Sequence, residues 1–563
     1  MSLRYGLPTP PPLSNEEYKE YVDSVIPCAS KSTVNHQSRK EPAIRYERKM
    51  GDTELSYFLP SRQYLHLGFH APERLVRRAR VCIVWAILRL RHPLLSASVE
   101  MHDYDDVRFL YDAPSSVDAA LASANANLEY RADTKDELID SYLNGSRTLS
   151  NERLSYLVVS QPADSIMPTP PRTPSPSRTA RTNTEVAQSE SGEYQYDLLI
   201  CAMHFLGDGM ALHQFANDFF GLLGGEHSDE DLTDMLRLEW DVRWGTNTYR
   251  SDGIIPATLE DSLPVPSTSS FRRAAEHVDF QLSQSSLLGG QTFPKQKHPE
   301  RHTVVPTFSI PHSRTKAILK KCKEQGVSIS AALFAVCNVA WARMGGGKKE
   351  LPAMMYSALN LRPYFARASQ KVAEKALWDS YWFLAIGYFN VVLPNFLPAG
   401  AQEATFWHRA RQAKAQSAGA AKNRFIVSRT REMAKERGTR ARAWGKEDDE
   451  RERGTWVPPA DTPKPPSVKD ILPARAPVPS AALIGLSLLG NLDGTYAHAT
   501  FPAIKLHTLT TGSRQRHGAM LLFGYTFKGK LWVSLGYDEN GFKEGVVERF
   551  WEEVENCVEE FLG

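Results

Sequence analysis

The sequence has few cysteines, almost no net charge and no long uninterrupted apolar run. Its 563 residues include six scattered cysteines with no CxxC pair, which excludes a disulfide scaffold and the usual zinc and redox motifs. Lys and Arg number 67 against 65 Asp and Glu, a formal charge of +2, so nothing favours a nucleic-acid or anionic-membrane partner. The most apolar helix-like stretch, Val81–Leu95, contains Arg89, Arg91 and His92, so no membrane span is predicted.

A secretory signal is also missing from the sequence, because the stretch MSLRYGLPTPPPLSNEEYKEY has no apolar core. Together with the scattered thiols, this predicts a reducing, cytoplasmic setting. At roughly 100–200 residues per domain, the length allows two to four domains or two large halves. The hydrophobic content of 42% is sufficient for a large core.

Two segments have the composition of inserted surface chain. Residues 161–193 are rich in Pro, Ser, Thr and Arg, and residues 437–479 contain the charge run KEDDERER followed by many prolines. Such segments have too little apolar side chain to offset their ordering entropy, so both are predicted to be disordered insertions. A regulatory role for the first segment, through PxxP and Ser/Thr-Pro pairs, is the alternative that its composition leaves open.

Elsewhere helical and strand patterns alternate, which predicts a mixed α/β fold without internal repeats. The predicted halves are residues 1–285 and 286–563. The predicted elements that bear on the site are strands at Tyr194–His204, Met354–Leu361 and Ile386–Leu393, a buried helix at Ser328–Met344, a basic helix at Thr405–Trp444, a hairpin within 519–537 and a final helix at Glu544–Leu562.

The sequence HFLGDG combines a strand end with reactive chemistry. His204 ends the predicted strand, and Gly207 and Gly209 mark a sharp turn before a helix that begins at Met210. A neutral imidazole in such a turn can take a proton from an alcohol or amine, because its pKa lies near operating pH. Asp208 could orient the imidazole as the third member of a triad does, or it could pair with a distant arginine and lock the turn.

Three other interpretations compete with a general base at this turn. A metal site of His204, Asp208 and His213 would lack both HExxH and a Cys/His cluster. A serine nucleophile would need an elbow such as GxSxG, and GLSLL at 485–489 does not match it. An isolated HxxxDG fixes so few positions that it favours an ordinary histidine in a turn.

Further motifs accompany HFLGDG, and their order along the chain changes this balance. They are LRHPLL at 90–95, GVSISAALFAVCNVAW at 326–341, NLRP at 360–363, SLLG at 487–490 and YTFKGKLWVSLGYDENGFKEGVVERFWEEV at 525–554. In this order, and over nearly the full length, the chain resembles the chloramphenicol-acetyltransferase-like superfamily. That superfamily includes BAHD acyltransferases, alcohol O-acetyltransferases and peptide-synthetase condensation domains, and the chain is most similar to the fungal trichothecene 15-O-acetyltransferases.

The resemblance implies two similar α/β halves that face each other across a tunnel, with the acyl donor and the acceptor entering from opposite mouths. It implies that His204 is the general base and that Asp208 is a structural aspartate whose partner is Arg362. Gly209 would belong to the turn, and Ser487, in a partial match, would stabilise the oxyanion.

The resemblance also implies the substrates. Acetyl-CoA is the expected co-substrate, a small alcohol such as a trichothecene-like terpenoid is the expected acceptor, and a monomer without a metal is expected. Met203 stands where condensation domains usually carry a second histidine, and LGNLDGTY stands near the DFGWG position of plant enzymes. Simple O-acylation is therefore predicted, with a carrier-protein-dependent condensation enzyme or a non-catalytic member of the fold as alternatives.

Overall fold

The computed structural model describes residues 44–58, 62–162, 192–245, 253–298, 300–345, 347–365, 380–457 and 479–563. The strands in these ranges are β1 Arg45–Lys49, β2 Arg62–Pro72, β3 Ser98–Met101, β4 Val107–Asp112, β5 Leu128–Arg131, β6 Ser155–Ser160, β7 Glu193–Met203, β8 Thr303–Val304, β9 Thr307–Ile310, β10 Ala353–Asn360, β11 Ile386–Leu393, β12 Ala482–Asn491, β13 Lys505–Ser513, β14 Met520–Phe527 and β15 Lys530–Asp538. The α-helices are α1 Asp52–Phe58, α2 Arg78–Arg91, α3 Val117–Ala126, α4 Lys135–Asn144, α5 Gly209–Gly224, α6 Asp229–Trp240, α7 Leu259–Ser262, α8 Ser270–Ser285, α9 His312–Glu324, α10 Ile329–Arg343, α11 Gln402–Ala421, α12 Ile426–Glu452 and α13 Val546–Cys557.

Two large sheets form the frame of the molecule. The first has the strand order β13-β2-β7-β6-β5, and the second has the order β11-β10-β12-β14-β15, with β8 and β9 paired to β15. A small third sheet has the order β1-β4-β3. Two large hydrophobic cores lie against these sheets, one in each half. The predicted mixed α/β fold with two halves is confirmed.

Strands β2 and β7 are the centre of the first sheet. They pair antiparallel from Arg62 opposite Met203 to Pro72 opposite Glu193. From Tyr196 to its end every residue of β7 is buried, as expected for a continuous apolar run covered on both faces. The strand is thus held firmly up to the residue that precedes His204.

The second half is organised around α10. Its sequence is apolar on all sides, which places a helix in the interior, and most of its residues are buried. Ser328 caps it by accepting a hydrogen bond from Ala331 N at 3.2 Å. The predicted helix at Ser328–Met344 is confirmed, as is the hairpin of β14 and β15. No single described helix is long and apolar enough to cross a bilayer, whereas the bent pair α9–α10 passes that test by length and composition.

The basic segment after β11 forms two helices, so the prediction of one helix over Thr405–Trp444 is wrong. The chain breaks between α11 and α12, where the side chain of Asn423 accepts a hydrogen bond from Phe425 N at 2.8 Å. An asparagine bonded to the backbone two residues on offers the chain a turn in place of the helix.

Helix α12 also corrects part of the predicted insertion at 437–479. It continues to Glu452, so the first part of that segment is helical. Arg442 fixes it to the first half through Asp52 at 2.8 Å. Residues 458–478, and residues 163–191 of the other predicted insertion, lie outside the described residues.

Strand β13 departs from the predicted division into residues 1–285 and 286–563. It follows β12 in the chain but pairs antiparallel with β2 of the first sheet, from Lys505 opposite His70 to Ser513 opposite Gln63. The pattern of a strand indicates which of its faces is buried and not which strand lies beside it, so this crossover was not predictable from the pattern.

Tyr525 of β14 links the crossover strand to the second sheet. Its buried hydroxyl donates a hydrogen bond to the carbonyl of Leu509 in β13 at 2.8 Å. We expect Tyr525→Phe to lower the free energy of unfolding by about 1 kcal/mol, because a buried carbonyl loses its donor. Chemical denaturation measures this change. In the control Tyr194→Phe the hydroxyl that is removed makes no hydrogen bond to a described residue, and equal stability of the two variants would contradict the prediction.

Candidate active site

His204 lies in a tight turn between a strand and a helix. Strand β7 ends at Met203, and His204 begins a single 3₁₀ turn before the extended residue Gly207. The side chain of Gln63 donates a buried hydrogen bond to the Gly207 carbonyl at 2.8 Å. A Cβ atom on Gly207 would lie 2.9 Å from the ring of Trp382. Close approach by this tryptophan of the second half therefore requires glycine at this position.

The imidazole of His204 is partly covered. Its ring centroid lies 4.4 Å from that of Tyr57 on α1, and its Nδ1 is buried without a hydrogen-bond partner among the described residues. Burial lowers the pKa of His204 from its ordinary value of 6.5, while the negative charge of Asp208 acts in the opposite direction. The ring is therefore neutral at pH 7, the form that accepts a proton.

Asp208 is held by four donors, and none of them is His204. Its Oδ1 accepts from Ala211 N at 3.2 Å, which caps α5. Arg362 donates from Nη1 to Oδ2 at 2.8 Å and from Nη2 to Oδ1 at 3.2 Å. Ala385 N donates to Oδ2 at 3.1 Å. The structure therefore brings Asp208 and Arg362 together. It shows no hydrogen bond between Asp208 and His204, which the triad-like alternative requires.

Arg362 reaches Asp208 from the second half of the molecule. It begins a 3₁₀ turn directly after β10 and Leu361. The guanidinium carbon lies 4.8 Å from the ring centroid of Phe383, and Nη2 lies 3.5 Å from the carbonyl oxygens of Tyr381 and Phe383. Asp208 is only 4% exposed and the Arg362 side chain is 20% exposed, so the pair is a largely buried link between the two halves.

Ser487 and Gly209 lie on either side of the same seam. In β12, Leu486 and Leu488 pack in or against the core of the second half, so Ser487 points to the opposite face of the sheet. A Cβ on Gly209, the first residue of α5, would lie 3.2 Å from the side chain of Leu489 near the end of β12. Ser487 forms no hydrogen bond with His204.

His213 does not join His204 and Asp208. It lies on the buried face of α5, where its Nδ1 is 2.9 Å from the hydroxyl of Tyr496 and burial lowers its pKa to about 3. Within the described ranges, no three His, Cys, Asp or Glu side chains are arranged to hold a metal ion.

A cavity of about 820 Å³ lies between the halves beside this turn. Its wall contains no Asp or Glu and has five arginines, Arg429, Arg437, Arg440, Arg514 and Arg516. His204 is not part of the wall. Tyr57 is, and the same tyrosine covers the imidazole. Tyr57 therefore separates the cavity from His204.

Sequence reasoning missed Tyr57 and the residues that hold it. The guanidinium of Arg437 lies 5.4 Å from the ring centroid of Tyr57 and 4.3 Å from that of Tyr388. These residues come from α1, α12 and β11, and no motif contains them. They come together only because α12 docks on α1. The hydrophobic pattern of neither helix predicts that docking.

Three solved structures share this architecture. The trichothecene 15-O-acetyltransferase from Fusarium sporotrichioides aligns over 92% of this chain and 95% of its own, with a TM-score of 0.64 and 12% identity. The epimerization domain from the third module of tyrocidine synthetase B aligns over 93% and 99%, with a TM-score of 0.51 and 11% identity. A nonribosomal peptide synthetase, FmoA3, aligns over 95% of this chain and 46% of its own, with a TM-score of 0.51 and 12% identity. The chain has the chloramphenicol-acetyltransferase-like fold.

The evidence for the chloramphenicol-acetyltransferase-like fold is structural. Neither the comparison with protein-family models nor that with curated sequences found a match. At such low identity the likeness shows the fold alone, so the role of each side chain has to be argued from the geometry of this chain.

Asp208→Asn is expected to lower the free energy of unfolding by about 3 kcal/mol, because it leaves the Arg362 guanidinium without its anion. Arg362→Gln should cost a similar amount. The double variant should lose less than the sum of the two single losses, because both remove one interaction. Urea unfolding of all three measures the coupling, and Asp234→Asn, in an exposed pair with Arg237, is the control. Additive losses would contradict a direct ion pair.

Proposed function

We propose that the protein is an acyl-CoA-dependent O-acyltransferase that moves an acetyl group to a hydroxyl of a small secondary metabolite, such as a trichothecene-like terpenoid. The observation that carries this proposal is the neutral imidazole of His204 on a turn locked by the Asp208–Arg362 pair. The acyl-transfer chemistry and the acceptor class come from the likeness to the trichothecene 15-O-acetyltransferase. A monomer acting in the cytoplasm stays a prediction.

In the proposed reaction His204 is the general base. Its Nδ1 is buried, so Nε2 is the nitrogen that takes the acceptor's hydroxyl proton. The alkoxide oxygen attacks the thioester carbonyl directly, and the carbon–sulfur bond breaks without an acyl-enzyme. The departing thiolate recovers the proton from the imidazolium. The reaction is balanced without a metal or a redox step.

Three further residues support this chemistry. Asp208 and Arg362 act as positioning residues, because they fix the turn and do not bond the imidazole. Ser487, on the sheet face opposite the core of the second half, is the proposed donor to the oxyanion, where a single donor is worth roughly 3 kcal/mol.

Tyr57 controls access to the base in this proposal. It lies on the imidazole and also lines the cavity, so its ring has to turn aside, or form one wall of the acceptor site, before a hydroxyl reaches His204. The cavity suits a phosphate-bearing acyl donor, since its wall carries arginines and no carboxylate.

A condensation-type enzyme that uses a carrier-protein thioester is the second candidate, and the likeness to the epimerization domain of tyrocidine synthetase B favours it. Condensation domains usually carry a second histidine where this chain has Met203, which is 3% exposed. The absence of that histidine counts against a condensation enzyme. A non-catalytic member of the fold would release no thiol from either donor.

The test is thiol release from acetyl-CoA with a panel of terpenoid alcohols. His204→Ala should lower the rate at least about 100-fold, because the general base is lost. His408→Ala, which removes an exposed histidine from α11, should leave it unchanged. Thiol release that His204→Ala does not reduce would disprove the assignment, and acyl transfer only from a carrier-protein thioester would favour the second candidate.

The pH profile provides an independent test of His204. The neutral imidazole is the active form, so kcat/KM falls as the pH drops through its pKa. Because burial lowers that pKa, the fall should be centred below pH 6.5 and the profile should be flat from there to neutrality. A fall centred at or above pH 6.5 would show that His204 is not a buried base.

A further inference from the structure

Four arginines lie on segments that come together where the two halves join, near the base-bearing turn. They are Arg62 at the start of β2, Arg147 after α4, Arg301 before β8 and Arg514 after β13, and we call them the arginine cluster. Arg62 lies opposite Met203 in the first sheet, so the cluster adjoins the strand that ends at His204.

Backbone hydrogen bonds tie the four segments together. Arg514 N donates to the carbonyl of Arg62 at 3.0 Å. The next residue, Gln515, donates from its N to Thr303 Oγ1 at 3.0 Å. Asn144 and Thr303 exchange two hydrogen bonds, at 2.7 and 2.9 Å. The fold therefore holds the backbone segments that carry these arginines close together.

Arg62 is buried without an anion. It is 5% exposed, and its Nη1 has no hydrogen-bond partner among the described residues. The guanidinium carbon of Arg62 lies 5.9 Å from the ring centroid of Tyr142, in a cation–π arrangement. The buried Arg80 differs, because Asp229 meets its charge at 2.6 Å, whereas Arg409, like Arg62, has a buried Nη1 without a partner among the described residues. A buried guanidinium without a counter-charge is unfavourable unless a ligand supplies one.

The neighbours of Arg62 add positive charge. Burial, and then the charges of Arg147 and Arg301, lower the pKa of Arg62. Burial and the same arginines lower the pKa of Arg514, and Asp538 acts in the opposite direction. Within the described part of the chain, no carboxylate forms an ion pair with any of the four.

Asp538 offsets part of the positive charge of the cluster, and its oxygens accept hydrogen bonds from other segments. Its Oδ1 accepts from His302 N at 3.0 Å, and its Oδ2 accepts from Gly518 N at 2.9 Å. The Nδ1 of His517 lies 3.3 Å from Oδ2. Among the described residues, Asp538 therefore acts on the cluster through its charge and forms no direct ion pair with it.

Of the four arginines, Arg514 belongs to the wall of the large cavity. A ligand in the cavity can reach Arg514, and the buried Nε of this side chain has no partner among the described residues. The guanidinium fork matches the oxygens of phosphate bidentately, and phosphate is the biological anion that several arginines bind best together.

We propose that Arg62, Arg147, Arg301 and Arg514 bind a phosphate group of a ligand that occupies the cavity. This inference rests on the proposed function where it takes the ligand to be CoA. A free phosphate ion is the other source of the same chemistry, and the experiment separates the two.

The test is calorimetric titration at low salt with three probes: CoA, pantetheine, which lacks the phosphates, and inorganic phosphate. CoA should bind the wild type at least about tenfold more tightly than pantetheine does, because charge-assisted bonds are lost with the phosphates. Arg301→Gln and Arg514→Gln should each weaken CoA about tenfold or more and leave pantetheine unchanged. Arg237→Gln, an equal charge change on the distant helix α6, is the control.

The melting temperature of Arg62→Gln distinguishes a ligand-binding role of Arg62 from a structural one. Removing an unpaired buried charge should raise the melting temperature in phosphate-free buffer and abolish the added stabilisation by phosphate or CoA. A melting temperature that falls in phosphate-free buffer would show that Arg62 is structural and would overturn its place in the site.

The outcomes separate this inference from the proposed function. Arginine-dependent binding of CoA without acetyl transfer would support the cluster and defeat the acyltransferase. Arginine-dependent binding of inorganic phosphate alone would keep the site and identify free phosphate as its source. Absence of binding by both CoA and phosphate, or binding that the Arg301 and Arg514 variants do not change, would overturn the inference.

Discussion

The ion pair between Asp208 and Arg362 is the constraint on which the rest of the site depends. A carboxylate that is 4% exposed is tolerable only while its charge is met, and the charge that meets it belongs to the other half of the molecule. The position of the second half thus determines the shape of the turn, and the turn determines where the imidazole points. The halves act as one framework around His204, although each has its own core.

Charge is distributed unevenly beneath a nearly neutral composition. The formal charge of +2 describes the whole chain, whereas the wall of the cavity has five arginines and no carboxylate. One of these arginines, Arg429, is paired with Asp279 at 2.7 Å. Other acids lie elsewhere, as in the first turn of α6 or the surface pairs of β1 and β4. The conclusion drawn from net charge, that no polyanion binds, therefore concerns extended surfaces such as nucleic acid. It does not concern an enclosed site for a small anion.

Local features of the fold were predictable from the sequence, and contacts between distant segments were not. The apolar run of α10 and the hairpin of β14 and β15 are recorded in periodicity. The resemblance to a family suggested Arg362 as the partner of Asp208. Tyr57 and Arg437, by contrast, come into contact only because two helices dock. Arg62 is the first residue of β2, and nothing in the pattern of that strand marks it as a functional residue. Side chains that come together only through tertiary contacts have no fixed spacing along the sequence, so no motif identifies them.

The crossover of β13 has a consequence for how this architecture can be divided or recombined. A fragment ending near residue 285 would keep β2 with an unpaired edge where β13 belongs, and such an edge invites association with other chains. The complementary fragment would carry a strand without a sheet. The two halves look like modules, yet each would lack one side of the β2–β13 pairing if it were separated from the other.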